Sequence, residues 1–209
     1  MKTTVLQGSP RKKGNTAQII EWIEDELISL GHEVESIYLN SKNIHGCLAC
    51  GKCKEKNKSI FNTKDGIKAD KAGKNDIIDQ IGCVQKDDAP AILEKMVGSE
   101  LVIFASPLYF WGFTAQLKAL IDRTYSLYTN YHKPDHASLV KGQRQALLLT
   151  GGGSYENNAE AVFTAFSRMQ NPHKAIKSGE LFVGNCTTAD MLDISVKQQA
   201  IEFARKITA

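Results

Sequence analysis

Long hydrophobic runs are missing from this 209-residue chain, and neither sign of charge dominates it. The longest uncharged run, residues 101–117, is broken by Pro107 and Gly112 and falls short of the roughly 20 apolar residues of a membrane span. The apolar stretch after Met1 is too short for the core of a secretory signal. With 26 Lys and Arg against 23 Asp and Glu, the net charge of +3 gives no basic arm for nucleic acid. We therefore expect a cytoplasmic protein that binds neither membranes nor nucleic acids.

Cysteine is scarce, but its distribution is uneven. Three of the five cysteines fall within seven residues, as Cys47, Cys50 and Cys53. In a chain without a secretion signal, such crowding points to thiol, metal or redox chemistry rather than to a disulfide framework.

Histidine gives no strong metal signature. His132 and His136 are four residues apart, but Pro134 between them breaks the helix that would align the two rings. The other three have no recognisable partners in the sequence and are expected at the surface: His32, His45 and His173.

Apolar strand-like runs alternate with segments of helical period, which predicts βαβ units around a mostly parallel sheet. The expected strands are residues 3–7, 34–39, 101–105, 146–150 and 180–183. The first helix has apolar residues from Ile19 to Leu30 on one face and should end at Gly31, while the last should begin near Asp190. We interpret residues 1–209 as one domain. Residues 54–82, rich in lysine and poor in apolar residues, are interpreted as a surface insertion with a short helix near residues 76–81.

The first strand ends in a loop suited to an anion, G-S-P-R-K-K-G-N-T at residues 8–16, immediately before a helix. Its glycines let the backbone turn toward a ligand, and the free N–H groups of a helix start attract negative charge. The spacing differs from a Walker loop, and Asn15 stands where the lysine would be. The alternative is a plain strand-to-helix turn capped by Asn15 or Thr16.

Further motifs follow at later strand ends, S-P-L-Y-F-W-G at residues 106–112 and T-G-G at residues 150–152. Together with the first loop, they resemble the flavodoxin-like NAD(P)H-dependent FMN reductase family, which includes the iron-sulfur flavoproteins. The resemblance covers nearly the whole chain outside the insertion. It implies a doubly wound α/β fold with a five-stranded parallel sheet in the order 2-1-3-4-5 and FMN at the point where strand order reverses.

The resemblance also implies which residues bind FMN. Those similar to the family's phosphate ligands are Ser9, Arg11, Asn15 and Thr16. Those similar to the loop that runs along the isoalloxazine are Pro107, Leu108, Tyr109, Phe110 and Trp111. A second ring-side loop is expected at Thr150, Gly151 and Gly152, with Tyr155 as a neighbour. Because side chains alternate in an extended segment, the three consecutive aromatic residues cannot all face one core.

The function that the resemblance implies is an oxidoreductase that takes electrons from NADH or NADPH through FMN. A flavin, quinone, nitro compound or other small-molecule acceptor would receive them, and a homodimer would complete the flavin pocket. No catalytic acid or base is assigned, because the flavin carries the chemistry. The alternatives are an electron carrier without NAD(P)H turnover and a module that keeps the fold without the flavin.

The cysteines leave a further alternative open. In iron-sulfur flavoproteins a similar C-x2-C-x2-C and a fourth cysteine hold a [4Fe–4S] cluster, which here would use Cys47, Cys50, Cys53 and Cys83. The third and fourth are separated by 29 residues, which removes the tight spacing of the motif. We expect free thiols and substoichiometric iron, with a cluster or a zinc site as the alternatives.

Overall fold

The computed structural model describes residues 1–55 and 81–209. The strands of its parallel sheet are β1 (Lys2–Gln7), β2 (Glu33–Tyr38), β3 (Leu101–Pro107), β4 (Arg144–Thr150) and β5 (Ile176–Val183). The principal helices are α1 (Asn15–Ser29), α2 (Ala89–Val97), α3 (Ala115–Arg123), α4 (Glu160–His173) and α5 (Ile194–Thr208). The order across the sheet is β2-β1-β3-β4-β5, which confirms the predicted topology.

The sheet is buried on both faces. Helices α1 and α5 cover one face, where Ile19 and Ile23 share a core with Phe203 and Ile207. Helices α2, α3 and α4 cover the other. The central strand β3 is therefore buried along Leu101–Ser106, as the continuous apolar run of a parallel strand requires. No helix within the described ranges is both long and apolar enough to cross a bilayer.

Helix α2 is absent from the sequence interpretation, although the sequence carries its pattern. Its buried residues follow the i, i+3, i+4, i+7 spacing of a helical stripe, and they are Ala89, Ile92, Leu93 and Met96. Pro90 lies in the first turn, where the missing N–H costs nothing.

Two local predictions need correction. Leu30, assigned to the buried face of α1, is 47% exposed, because it is the C-cap and lies beyond the last turn. The last helix begins at Ile194 rather than near Asp190, since Asp193 caps it by accepting a hydrogen bond from the Val196 amide. Gly31 has a φ of 81°, as expected of the residue after a helix C-cap.

The chain leaves and re-enters the fold around the predicted insertion at one place, here called the neck and defined as residues 43–46 and 85–88. The Asp88 amide donates to the Asn43 carbonyl at 2.9 Å. The Gln85 side chain donates to the Gly46 carbonyl at 3.1 Å. The neck is thus closed by hydrogen bonds between its two sides. The short helix expected near residues 76–81 falls, except for its last residue, outside the described part of the chain.

Candidate functional site

Three parallel strands, β1, β3 and β4, end at one cleft of about 200 Å³. From β1 the chain continues to β2 on one side of the sheet, whereas from β3 it continues to β4 on the other side. Strand order therefore reverses between β1 and β3, at this cleft. The cleft is lined by Ser9, Arg11, Gly14, Asn15, Thr16, Pro107, Leu108, Tyr109, Thr150, Gly151, Gly152, Cys186 and Thr187.

The loop after β1 is fixed by hydrogen bonds to the end of β3 and to the start of α3. The Gly8 amide donates to the Ala105 carbonyl at 2.7 Å, and the Thr114 hydroxyl donates to the Gly8 carbonyl at 2.7 Å. A Cβ on Gly8 would lie 2.8 Å from the Cβ of Leu117, too close for a side chain. Gly8 therefore brings the loop against β3 and the start of α3, and so sets its path into the cleft.

The N-terminus of α1 faces the same cleft. Gly14 is its N-cap, and no side chain in residues 1–55 or 81–209 caps it. The amides of the first turn are left for a ligand and carry the positive end of the helix dipole. Pro10 is held in place by the Tyr38 hydroxyl, which donates to its carbonyl at 2.7 Å. An exposed Arg11 guanidinium adds positive charge at the rim, so this end of the cleft suits an anion.

Two buried hydroxyls join the loop of β1 to that of β4. Thr16 Oγ1 and Thr150 Oγ1 lie 2.8 Å apart, and both residues are almost fully buried. Each hydroxyl has one hydrogen and can accept as well as donate. The pair fixes the distance between the anion-binding end of the cleft and its apolar end.

The loop after β3 is a tight turn that exposes two aromatic rings. Tyr109 and Gly112 exchange backbone hydrogen bonds of 3.1 and 3.0 Å. Between them, Phe110 and Trp111 have φ angles of 47° and 57°, a left-handed conformation that bulky residues rarely adopt. Phe110 is 96% exposed and Trp111 is 61% exposed, whereas Tyr109 lines the cleft. Strained backbone conformations of this kind cluster at active sites and ligand-binding turns.

Glycines after β4 let the backbone approach the cleft closely. The Gly151 amide donates to the Val183 carbonyl at 2.9 Å, and its own carbonyl accepts from the Cys186 amide at 3.1 Å. A Cβ on Gly152 would lie 3.1 Å from the Thr187 Cγ2. The segment after β5 thus supports the β4 loop and contributes its own residues to the wall.

Ten of the thirteen sequence-predicted residues line this cleft. Phe110 and Trp111 lie at the tip of the turn, and Tyr155 packs instead against Phe163 and Phe182, with ring centroids 5.4 and 5.8 Å away. The sequence interpretation missed Gly14, Cys186 and Thr187. The last two follow the end of β5 at the same edge of the sheet, and that position was the available signal.

A second cleft, of about 540 Å³, lies beside the cysteines. Its walls come from the cysteine segment, from the end of α3 with the turn after it, and from the end of α4. The lining residues are Cys47, Ala49, Gly51, Ile121, Asp122, Thr124, Tyr125, Tyr128, Met169, Pro172 and His173. Tyr125 lies beyond the end of α3 and is partly exposed.

His173 corrects a prediction, because it is 1% exposed rather than at the surface. Its Nε2 lies 3.0 Å from Thr124 Oγ1. That hydroxyl donates its one hydrogen to the Ile121 carbonyl at 2.7 Å, so it must accept from an Nε2–H. Burial, together with the charge of Lys54, lowers the pKa of His173 to about 4. The imidazole is therefore neutral at pH 7.

All five cysteines are free thiols, and Cys47 and Cys50 are exposed. Burial raises the pKa of Cys53 despite the neighbouring Lys54. Among residues 1–55 and 81–209, no group of three or more His, Cys, Asp or Glu side chains is placed to hold a metal ion. The thiols as placed therefore form no ligand set for a cluster.

Comparison with known proteins identifies the family. The family model described as NADPH-dependent FMN reductase matches residues 1–185. The chain belongs to this family. An iron-sulfur flavoprotein of Methanosarcina thermophila is 32% identical over 180 residues, which are 86% of this chain and 78% of the relative. An iron-sulfur flavoprotein of Archaeoglobus fulgidus is 34% identical over 123 residues, 59% of this chain but only 45% of that relative.

Solved structures agree with the fold. An FMN-dependent NADH-azoreductase from Bacillus anthracis, determined in complex with FMN, superposes with a TM-score of 0.64 at 13% identity. The match covers 100% of this chain and 98% of the azoreductase chain. At this identity the likeness establishes the flavodoxin-like architecture.

Proposed function

We propose that this chain is an FMN-dependent NAD(P)H oxidoreductase that passes electrons to a small-molecule acceptor. One observation carries the proposal. A single cleft at the switch point joins an uncapped helix N-terminus to an apolar, glycine-lined wall. This is the combination that a phosphate attached to a flat ring requires. Membership of the FMN reductase family supports it.

The residues present fit FMN. The Ser9, Arg11, Asn15 and Thr16 loop would hold the phosphate. The backbone of residues 107–109 and 150–152 would flank the isoalloxazine, where a Cβ on Gly152 would meet Thr187 at 3.1 Å. When bound, FMN supplies the capacity to take a hydride from a nicotinamide and pass electrons on. The chain's contribution is to bind, to orient and to exclude water.

The first experiment is anaerobic titration of the purified protein, saturated with FMN, with NADH and NADPH in turn. Loss of the visible flavin absorbance with either nucleotide is expected. Retention of FMN without bleaching by either nucleotide would favour an electron carrier. A protein that does not retain added FMN would contradict the proposal itself.

The relatives' name gives one specific reason to test a second candidate, a carrier with a [4Fe–4S] cluster on Cys47, Cys50, Cys53 and Cys83. The neck supports it, because its hydrogen bonds bring Gly46, next to Cys47, beside Gln85, close to Cys83. The described thiols are not arranged as ligands, so no step is assigned to a cluster. Near four irons and four acid-labile sulfides per chain after anaerobic purification would establish it. Substoichiometric iron is expected.

The proposal includes one flavodoxin-like domain, a cytoplasmic location and a homodimer. The exposed rings of Phe110 and Trp111 beside the cleft favour a partner contact, because exposed apolar patches commonly mark interfaces. Sedimentation of the FMN-loaded protein, compared with a Phe110→Ser variant, tests this. Weaker self-association is expected in the variant.

A further inference from the structure

The second cleft has the dimensions and lining of a ligand site. Its volume of about 540 Å³ exceeds that of the first cleft, at the ends of β1, β3 and β4, and the two share no lining residue. It falls within the roughly 300–1,000 Å³ typical of small-molecule pockets. The walls are mainly aromatic and apolar, and the few polar groups come from different elements.

The aromatic wall is held rigid. The Tyr128 ring makes edge contacts with Tyr125 and His173, at centroid distances of 5.4 and 5.3 Å. The ammonium of Lys54 lies 3.7 Å from the Tyr125 ring centroid and 4.0 Å from that of Tyr128. It also donates to the backbone carbonyls of both tyrosines. A flat ligand therefore meets a preformed surface, and ordering that surface costs little on binding.

The charges around this wall favour a ligand with an electronegative or anionic oxygen over a cationic ligand. His173 is neutral, and Asp122 is paired with Lys118 at 2.6 Å. Lys54 does not line the cleft itself, but its ammonium lies against the rings of Tyr125 and Tyr128, which do, and it brings positive charge close to this wall. The local balance is thus positive.

We propose that this cleft is a second binding site, separate from the first cleft, for a flat aromatic molecule that carries an electronegative or anionic oxygen. Aromatic carbonyl compounds such as quinones belong to this class. The proposal concerns binding and stands independently of the proposed function.

The test uses anthraquinone-2-sulfonate, a flat carbonyl compound with an anionic group, and the full chain in saturating FMN. Equilibrium dialysis measures its affinity for the wild type and for variants at one tyrosine. Tyr125→Ala should weaken binding about fivefold to tenfold, the equivalent of about 1–1.4 kcal/mol, because it removes one ring contact. Tyr125→Phe should retain it. The matched control is Tyr131→Ala, in the same aromatic group but outside the cleft lining, and it should bind within twofold of the wild type.

Three outcomes would overturn the proposal. The first is equal affinity in wild type and Tyr125→Ala, with the variant's fold verified by circular dichroism. The second is an equal loss in Tyr125→Ala and Tyr131→Ala. The third is weaker binding of the probe in saturating FMN than in the flavin-free protein, which would place the probe in the first cleft. Because dialysis requires no turnover, failure of the proposed reductase activity would leave this result interpretable.

Discussion

Arg123 and Asp87 form an ion pair in which both side chains are 1% exposed. The guanidinium Nη1 donates to Asp87 Oδ2 at 2.6 Å and to the His45 carbonyl at 3.0 Å, while Nη2 donates to Oδ1 at 3.1 Å. Asp87 also accepts from the amides of His45 and Ala89. The hydrogen bonds of Arg123 hold the pKa of Asp87 below its usual value, although burial opposes them. One pair thus joins the end of α3, the start of α2 and the neck.

Replacing Arg123 by Met should destabilise the protein by about 3–5 kcal/mol, because the change leaves a buried carboxylate without its partner. Urea unfolding measures the loss. Lys118→Ala is the control in the same helix, since the exposed Lys118–Asp122 pair should contribute less than about 1 kcal/mol. Similar losses in the two variants would show that Arg123 does not act through its buried pair.

Replacing Arg11 by Ala should weaken FMN binding about tenfold to a hundredfold, the range expected for one charge-assisted hydrogen bond. Calorimetry of FMN with the flavin-free protein gives the affinity. The neighbouring Lys12 is exposed and does not line the cleft, so Lys12→Ala should bind FMN nearly as the wild type does. Equal effects of the two changes would reduce the role of Arg11 to general positive charge.

Replacing Gly8 by Ala should cost about 1–3 kcal/mol of stability, because the new methyl group would overlap Leu117 and force the backbone to shift. Its effect on FMN affinity should follow, since the same loop forms the cleft. Gly46→Ala is the matched control, with no heavy atom within 4 Å of the added Cβ. Thermal unfolding compares the two, and an undisturbed Gly8→Ala protein would contradict the close approach.

Changing Phe110 to Asn and Trp111 to Gly should raise the free energy of unfolding of the protein and lower its rate of NAD(P)H oxidation. These residues suit a two-residue turn with positive φ, so relief of strain should add about 1 kcal/mol. NAD(P)H oxidation should fall if the exposed rings contribute to the site. Differential scanning calorimetry and turnover assays check the two effects. A less stable double variant would mean that the rings contribute packing that outweighs the strain.

His173 should make folding sensitive to mild acid. Its pKa is about 4 in the folded protein against 6.5 for the free side chain. Between pH 6.5 and about pH 4 the unfolded chain binds a proton at His173 that the folded chain does not bind. The free energy of unfolding therefore falls as the pH is lowered through this range. The shift corresponds to about 3 kcal/mol. The difference in unfolding free energy between the wild type and His173→Gln, measured by urea from pH 7 to pH 4, should change by this amount. A constant difference would contradict the prediction.

Much of the fold could be predicted because β3 and β4 are short apolar runs and because Gly, Ser or Pro marks the carboxyl ends of β1, β3 and β4. The motifs at these ends also placed most of the cleft, since parallel strands bring their carboxyl ends to one edge. Thr187 escaped although its strand was predicted, because it lies four residues beyond the end of that strand and no recognised motif follows there.

The remaining misses depend on tertiary contacts. Nothing in the sequence near His173 indicates that the ring of Tyr128 and the hydroxyl of Thr124 will enclose it. The direction of Phe110 and Trp111 depends on a turn that their residue types disfavour. Local preference could not predict a conformation that the flanking strand and helix impose.

The closed neck has a consequence for engineering. Because Gly46 and Gln85 already meet, the separation between the two attachment points is fixed by the fold and not by what connects them. The entropy of closing a connecting segment rises only with the logarithm of its length. A connecting segment of different length, or a foreign binding peptide, could therefore be exchanged between Lys54 and Ile81 while the sheet and the first cleft keep their geometry, provided that Ile81 keeps its buried position in the core.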